Sequence, residues 1–124
     1  MKVSQTFRFE SAHYLPHVPE THKCRGMHGH SYRAEVILSG PVDKTTGFIV
    51  DFFEIEDKAG SVISSLDHMC LNEIEGLSNP TVEIIAKWIF DRVEKQIPLL
   101  FAVRVYETCD SWAEYSRDDA WNIS

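Results

Sequence analysis

Three histidines near the start of the chain have the spacing of metal ligands. His28 and His30 are separated by one residue, so on a β-strand their side chains point to the same side. His13 ends an earlier segment in which apolar and polar residues also alternate. If the two segments pair as antiparallel strands, the three imidazoles meet at one edge of the core. Three histidines that leave one coordination position open are typical of a catalytic zinc site, so we expect them to bind Zn²⁺.

Cys24 lies four residues before His28, in a loop that contains Pro16, Pro19 and Gly26. A thiol near a metal cation ionises readily. Three interpretations remain open: a fourth ligand that closes a structural site, a nucleophile or base beside an open site, and an inert apolar side chain. The polar and flexible neighbours of the thiol favour exposure, and therefore a role in chemistry.

Asp67 and His68 are adjacent in sequence, directly after a predicted helix. A carboxylate can orient an imidazole and raise its basicity, as in a catalytic relay. Neighbours in sequence need not be in contact, however, and a polar helix terminus is an equally simple interpretation. On these residues alone, the pair is a candidate for proton transfer.

Glu107 ends a predicted strand on the same face as the apolar side chains Phe101, Val103 and Val105. A carboxylate in such a position needs a partner for its charge. A ligand with two adjacent N–H groups would provide one, in the bidentate geometry that carboxylates also form with arginine. The alternative is a salt bridge at the edge of the sheet.

These side chains require a framework of four strands and two helices. Alternation predicts strands over residues 3–13, 28–39, 99–107 and about 112–117, with a short extended piece at 47–50. Asp51 and Glu54 form a possible capping box before an amphipathic helix that reaches Leu66. A second helix is predicted to begin near Asn79-Pro80, with Asn79 as its cap and Pro80 in its first turn, and to end before Pro98. The order ββααββ predicts a single α+β domain over residues 1–124, with both helices on one face of a four-stranded antiparallel sheet.

Composition excludes several classes of protein. The 124 residues carry a formal net charge of −7, and no cluster of Lys or Arg suggests nucleic-acid binding. No apolar run is long enough to span a membrane, and the N-terminus does not resemble a signal peptide. The three cysteines are odd in number and unpaired in spacing, which favours a reducing, cytoplasmic setting. His17, His22, Cys70 and Cys109 lack the placement of ligands, and we assign them no role.

Taken together, these residues resemble the 6-pyruvoyltetrahydropterin synthase superfamily and, within it, the 6-carboxytetrahydropterin synthase family of queuosine biosynthesis. The resemblance covers nearly the whole chain up to Cys109. Its motifs are Phe9-Glu10-Ser11-Ala12-His13, Leu15-Pro16, His22-Lys23-Cys24, His28-Gly29-His30-Ser31, Val50-Asp51-Phe52, Leu66-Asp67-His68, Leu71-Asn72, Asn79-Pro80-Thr81, Ala86-Lys87-Trp88 and Glu107-Thr108. The three residues between Cys24 and His28 match the spacing of the carboxy-synthase branch.

The resemblance implies a role for each candidate residue. Zinc would be held by His13, His28 and His30, and Cys24 would abstract a proton together with Asp67 and His68. Glu107 would anchor the pterin ring. The implied fold is the tunnelling fold, in which such domains associate into a barrel-based homohexamer.

The implied reaction converts 7,8-dihydroneopterin triphosphate to 6-carboxy-5,6,7,8-tetrahydropterin, with release of acetaldehyde and triphosphate. Lys23 and Arg25 are candidates to receive the triphosphate, since the chain as a whole is acidic. Two alternatives remain. One is a 6-pyruvoyltetrahydropterin synthase activity, which eliminates triphosphate without cleaving the side chain; the other is a non-enzymatic zinc or pterin-binding module.

Overall fold

The computed structural model of the chain describes residues 1–123. Within that range it contains five β-strands and two α-helices. Their bounds are β1 Lys2–His13, β2 His28–Ser39, α1 Phe52–Ser64, β3 Met69–Cys70, α2 Val82–Glu94, β4 Leu100–Thr108 and β5 Ser111–Ser116. The apolar faces of both helices and of the long strands form one buried core, which confirms the predicted α+β class.

The sheet differs from the prediction of four antiparallel strands. Its order is β3-β1-β2-β4-β5, and the additional strand β3 runs parallel to β1, so the sheet is mixed. The four long strands pair antiparallel as predicted. The two residues of β3 are too few to show alternation in the sequence. The strand forms because the chain after α1 runs along β1: Ser11 Oγ donates to the Leu66 carbonyl, and the His68 N–H donates to the Glu10 carbonyl.

The pairing of β1 with β2 sets the position of the histidines. His13 lies opposite His28, and Ser11 lies opposite His30. On the same face, the Phe9 and Tyr32 rings stack with their centroids 4.8 Å apart inside the core. A slip of one residue would turn this apolar face toward solvent, so burial holds the register. The same register places the histidines together.

The helix ends were predicted less well than the helices themselves. Asp51 does cap α1, by accepting from the Phe53 N–H at 2.9 Å. Glu54 does not complete a capping box, because it pairs instead with Lys58, one turn along the helix. The cap of α2 is Thr81, whose hydroxyl accepts from the Ile84 N–H, rather than the predicted Asn79.

The segment predicted to be extended at residues 47–50 is not a strand. A turn precedes it, in which the Asp43 carboxylate accepts the N–H groups of Thr45 and Thr46. Gly47 then adopts a φ of +80°, a conformation that glycine accepts at little cost. The turn therefore ends any sheet pairing before Asp51 starts α1.

The helices cover only one face of the sheet. On the other face, polar side chains such as Arg8, Glu10, Arg33 and Arg104 are exposed or half-buried. Neither helix in residues 1–123 has both the length and the apolar character needed to cross a lipid bilayer.

Candidate metal centre and active site

The three histidines meet at the end of the β1–β2 pair. One nitrogen from each of His13, His28 and His30 lies within 4.8 Å of the other two. The ring centroid of His13 is 4.6 Å from that of His28 and 5.1 Å from that of His30. This is the convergence that strand alternation predicted, and the three side chains are placed to hold a metal ion.

Hydrogen bonds determine which nitrogen faces the centre in two of the three rings, those of His13 and His28. His13 Nδ1 is 2.8 Å from the Pro80 carbonyl oxygen, and His28 Nδ1 is 2.7 Å from the Gly26 carbonyl oxygen. A carbonyl can only accept, so both Nδ1 atoms carry the hydrogen and each Nε2 keeps a free lone pair. Within residues 1–123, the Nε2 atoms of all three histidines are buried without a hydrogen-bond partner. Three unpartnered ring nitrogens directed at one point fit a site for a cation.

Burial also keeps the cluster in its metal-binding form. It lowers the pKa of His13, against the opposing effect of the hydrogen bond to Pro80, and nearby His28 lowers this pKa further. Burial likewise lowers the pKa of His30, with Glu107 opposing the shift. Both rings are therefore neutral at pH 7, as metal binding requires. Because the unfolded chain binds these protons more readily, stability falls as the pH drops below the ordinary histidine value.

Cys24 lies in a single 3-10 turn formed by Lys23–Arg25. The Cys24 N–H donates to His22 Nδ1 at 3.0 Å, and the Cys24 carbonyl accepts from the Leu15 N–H at 2.9 Å. The turn is thus held from both sides, and the thiol is half-buried and free. In the described part of the chain, the close group of candidate ligand atoms contains three histidine nitrogens and not the Cys24 sulfur. This geometry favours a thiol beside an open metal site over a fourth ligand.

Tyr32 belongs to the site, although sequence analysis assigned it only to the apolar face. Its ring centroid is 5.8 Å from that of His13 and 5.4 Å from that of His30, and its buried hydroxyl has no hydrogen-bond partner in residues 1–123. Burial raises the pKa of Tyr32, and the charges of Glu107 and Cys24 raise it further. Both of those groups therefore lie near the Tyr32 hydroxyl. Tyr32 lies two residues after His30 on β2, so strand alternation could have predicted that its side chain points to the same side as the histidines.

Glu107 reaches the histidine cluster from β4. Its Oε1 is 3.4 Å from His30 Nε2, without hydrogen-bond geometry, and its side chain is 27% exposed. Val103 and Val105, which precede it on the same face of the strand, are fully buried. In the described residues, Glu107 contacts the neutral His30 ring and forms no ion pair with a lysine or arginine. The predicted alternative, a salt bridge between Glu107 and a basic side chain at the sheet edge, therefore does not form within residues 1–123.

Asp67 and His68 are in contact, with His68 Nδ1 2.9 Å from Asp67 Oδ2. The other carboxylate oxygen accepts the Glu10 N–H at 2.8 Å, and the His68 N–H donates to the Glu10 carbonyl at 2.6 Å. The Glu10 N–H and then His68 lower the pKa of Asp67. These bonds hold His68 at a φ of +58°, which is rare for a residue with a side chain.

The Asp67–His68 pair makes no hydrogen bond to Cys24 in residues 1–123. Its described hydrogen bonds run to β1 and not to Cys24 or to the histidine cluster. His68 is exposed and lines an open cavity of about 550 Å³ together with Glu10, His30 and Cys70. The structure therefore brings five of the predicted site residues together and leaves this pair at the sheet edge.

Lys23 and Arg25 flank Cys24 on the 3-10 turn. Lys23 is exposed, whereas Arg25 is half-buried and donates through Nη1 to the Val18 carbonyl at 2.8 Å. Part of the Arg25 guanidinium is thus used to brace the loop. The exposed Lys23 ammonium group is therefore the more accessible of the two cations for a bound phosphate.

The chain is similar to known proteins over nearly its full length. A family model described as 6-pyruvoyl tetrahydropterin synthase matches residues 2–118. A 6-carboxy-5,6,7,8-tetrahydropterin synthase from Synechocystis is 41% identical over 119 residues, which cover 91% of each protein. A dihydroneopterin monophosphate aldolase from Pyrococcus furiosus is 35% identical, covering 73% of this chain and 72% of that protein.

A solved structure shares the fold. The 6-pyruvoyl tetrahydropterin synthase of Caenorhabditis elegans superimposes with a TM-score of 0.87 at 24% identity and covers 94% of both chains. At that identity the likeness speaks for the architecture alone. The match of the family model to residues 2–118, together with a relative 41% identical over 91% of its length, shows that this chain belongs to the 6-pyruvoyl tetrahydropterin synthase family.

Proposed function

We propose that the protein is a zinc-dependent 6-carboxy-5,6,7,8-tetrahydropterin synthase. The reaction consumes 7,8-dihydroneopterin triphosphate and water, and it yields 6-carboxytetrahydropterin, acetaldehyde and triphosphate. The observation that carries the proposal is the set of three buried, unpartnered Nε2 atoms beside Cys24 and Glu107, in a chain 41% identical to a synthase of that name. The whole chain would act as one domain. Its three free thiols favour a reducing, cytoplasmic compartment.

His13, His28 and His30 would hold the zinc ion through Nε2. Imidazole nitrogen suits Zn²⁺, and a set of three leaves a position for substrate oxygen. When bound there, zinc supplies Lewis-acid polarisation of the substrate side chain, which makes its C–H bonds more acidic. The carbonyls of Pro80 and Gly26 orient the rings through their Nδ1 hydrogens, as outer partners of metal ligands commonly do.

Proton transfer would fall to Cys24 and to the Asp67–His68 pair. Cys24 is half-buried on a braced turn, so its sulfur can meet a substrate held at the histidine cluster. Asp67 carries a negative charge, because hydrogen bonds lower its pKa, and it orients His68 through Nδ1. The Nε2 of His68 is then the atom that exchanges a proton with its partner.

Product analysis tests the proposed reaction. Purified protein loaded with zinc would be incubated with 7,8-dihydroneopterin triphosphate, and both acetaldehyde and the pterin product would be quantified. Equal amounts of acetaldehyde and 6-carboxytetrahydropterin are expected. Triphosphate without acetaldehyde would identify a 6-pyruvoyltetrahydropterin synthase instead, and no turnover would leave a binding module.

Glu107→Gln is expected to weaken the binding of a reduced pterin by more than about tenfold. The pterin edge offers an N–H and an amino group side by side, and the two carboxylate oxygens match them. A hydrogen bond to a charged group contributes about 1.5–3 kcal/mol, and a tenfold loss in affinity corresponds to about 1.4 kcal/mol. Titration of both proteins with a non-reactive reduced pterin measures the effect.

Zinc content serves as the control for this variant, since Glu107 is not one of the three proposed ligands. It should be the same in both proteins. Equal pterin affinities would remove Glu107 from the binding site and weaken the proposed substrate class with it.

We also propose that several chains assemble into a hexamer. The edge of β1 is paired with β3 only at Ser11 and Ala12, and β5 forms the opposite edge of the sheet. Open edges invite pairing with another strand. Large apolar side chains also remain exposed in the single chain, among them Met27, Phe48, Phe52, Phe53 and Met69. Association would bury them, and it would let the Asp67–His68 pair of one chain serve the Cys24 of another.

Assembly has two expected results. Sedimentation should give about six times the chain mass of 14.2 kDa. In addition, Cys24→Ala and His68→Ala variants, each nearly inactive alone, should regain activity when their subunits are mixed and exchanged, because some sites then combine intact residues from two chains. A stable monomer at working concentration would contradict the proposal, as would exchanged mixtures that stay inactive.

A further inference from the structure

Two arginines lie side by side on the face of the sheet that the helices leave uncovered. Arg8 on β1 and Arg33 on β2 are direct cross-strand partners. Directly opposed residues have their Cβ atoms about 5 Å apart, and like charges in that position destabilise the sheet. A pair of this kind therefore calls for a negative partner.

Within residues 1–123, neither the Arg8 nor the Arg33 guanidinium pairs with an acidic side chain. The basic side chains in contact with a carboxylate in this part of the chain are His30, Lys58, His68, Lys87 and Arg104, and neither Arg8 nor Arg33 is among them. Arg104, two residues from Tyr106 on β4, shows the contrast, because it pairs with Glu114 at 3.0 Å. The two unneutralised charges are thus a local feature of an otherwise acidic protein.

None of the nearby acidic side chains forms an ion pair with Arg8 or Arg33 in the described residues. Glu10, two residues from Arg8, accepts the Ser31 hydroxyl at 2.6 Å. Glu107 is 3.4 Å from His30 Nε2 on the histidine side. Glu35, two residues from Arg33, is in none of the ion pairs of the described chain. These carboxylates lower the charge of the surrounding face but do not occupy the arginine pair.

The arginine pair borders a cavity of about 320 Å³ whose other walls include the hydroxyl groups of Tyr106 and Thr108 and, at one side, the Glu107 carboxylate. The Arg33 guanidinium lies 4.0 Å from the centre of the Tyr106 ring. Stacking uses the face of the guanidinium and leaves its in-plane N–H groups available. Tyr106 Oη accepts from Arg104, and Thr108 Oγ1 accepts from the Asp110 N–H, so both hydroxyl hydrogens remain free to donate.

We propose that Arg8 and Arg33, with the hydroxyls of Tyr106 and Thr108, form a binding site for a polyphosphate chain. Guanidinium groups bind phosphate oxygens in a bidentate manner, and two adjacent groups suit consecutive phosphates better than a single carboxylate. The site lies on the sheet face opposite to the histidine cluster. Glu107 lines the same cavity and also lies beside His30, so the site adjoins the residue proposed to anchor the pterin.

The source of the polyphosphate rests on the proposed function, but the site itself does not. One source is the triphosphate that the proposed reaction releases, and the other is the triphosphate tail of a substrate bound by a neighbouring chain. Both share the chemistry that the arginine pair recognises.

Calorimetric titration with inorganic triphosphate tests the site without any turnover. At low ionic strength, the double variant Arg8→Gln/Arg33→Gln should bind about tenfold or more weakly than the unmodified protein, since it loses several charge-assisted hydrogen bonds. Lys58→Gln is the control, because it removes a cation that already pairs with Glu54 on α1, away from this face of the sheet. It should change the affinity less than about twofold.

Three outcomes would overturn the site. They are an unchanged triphosphate affinity in the double variant, an equal loss of affinity in Lys58→Gln, and a changed oligomeric state of the double variant, which would make the arginine pair an interface contact. Kinetics then separate the sources. A raised KM for the pterin triphosphate at unchanged kcat assigns the site to the substrate tail. Weaker inhibition by added triphosphate at unchanged KM assigns it to the released product. An inactive protein that still binds triphosphate through these arginines would refute the proposed function alone.

Discussion

Replacing His13 with alanine is expected to leave the protein without bound zinc. The side chain is 1% exposed, and its Nε2 faces the nitrogens of His28 and His30. Removing one of three ligands leaves two nitrogens and a buried gap, which is too few protein ligands for a stable zinc site. The expected metal content falls from about one zinc per chain to near zero. His28→Ala and His30→Ala should behave in the same way.

Metal analysis after gel filtration measures this effect, independently of activity. His17→Ala is the matched control, because His17 is exposed and lies in the neighbouring loop. It should keep the full zinc load. In the unmodified protein, X-ray absorption should show nitrogen ligands at about 2.0–2.1 Å. A full zinc load in all three triad variants would exclude these histidines as the metal site.

Cys24→Ala is expected to lower turnover by about 10²–10⁴-fold while zinc and assembly persist, the usual cost of removing a general base. The physical reason is the position of the thiol. It is free and half-buried beside the cluster, and its sulfur is not among the close ligand atoms of the described chain. The three histidines are enough for an open site, so the metal does not depend on this residue.

Single-turnover and steady-state rates, measured with zinc content on the same samples, test the role of Cys24. The control is Cys109→Ala, which removes an exposed thiol at the end of β4 and should keep the full rate. If Cys24→Ala released the zinc, the thiol would be a fourth ligand of a closed site. If the rate were unchanged, it would be a spectator.

The histidine centre could be predicted from the sequence because it depends on alternation alone. Side chains on a strand alternate with a period of two, so the apolar residues that must be buried also fix the direction of His13, His28 and His30. The same rule brought Glu107 to the site at the end of β4. It applied equally to Tyr32, which was overlooked because its aromatic ring suited the core.

Other features depend on contacts between distant parts of the chain. The Nδ1 of His13 meets the Pro80 carbonyl, 67 residues away, and this contact selects the nitrogen that faces the centre. The cap of α2 is Thr81 and not Asn79, since the backbone first becomes helical only after Thr81. Neither choice is visible in a local pattern.

The sequence by itself determined the residue types of the site, the phase of the long strands and the two helices, because burial of an apolar face imposes a regular spacing. Only the tertiary structure decided where Asp67 and His68 lie. The chain leaving α1 pairs with β1 through the backbone of Glu10, which adds the short parallel strand and turns His68 to a positive φ. Backbone hydrogen bonds of this kind carry no side-chain signature, since every residue except proline offers the same N–H and C=O groups.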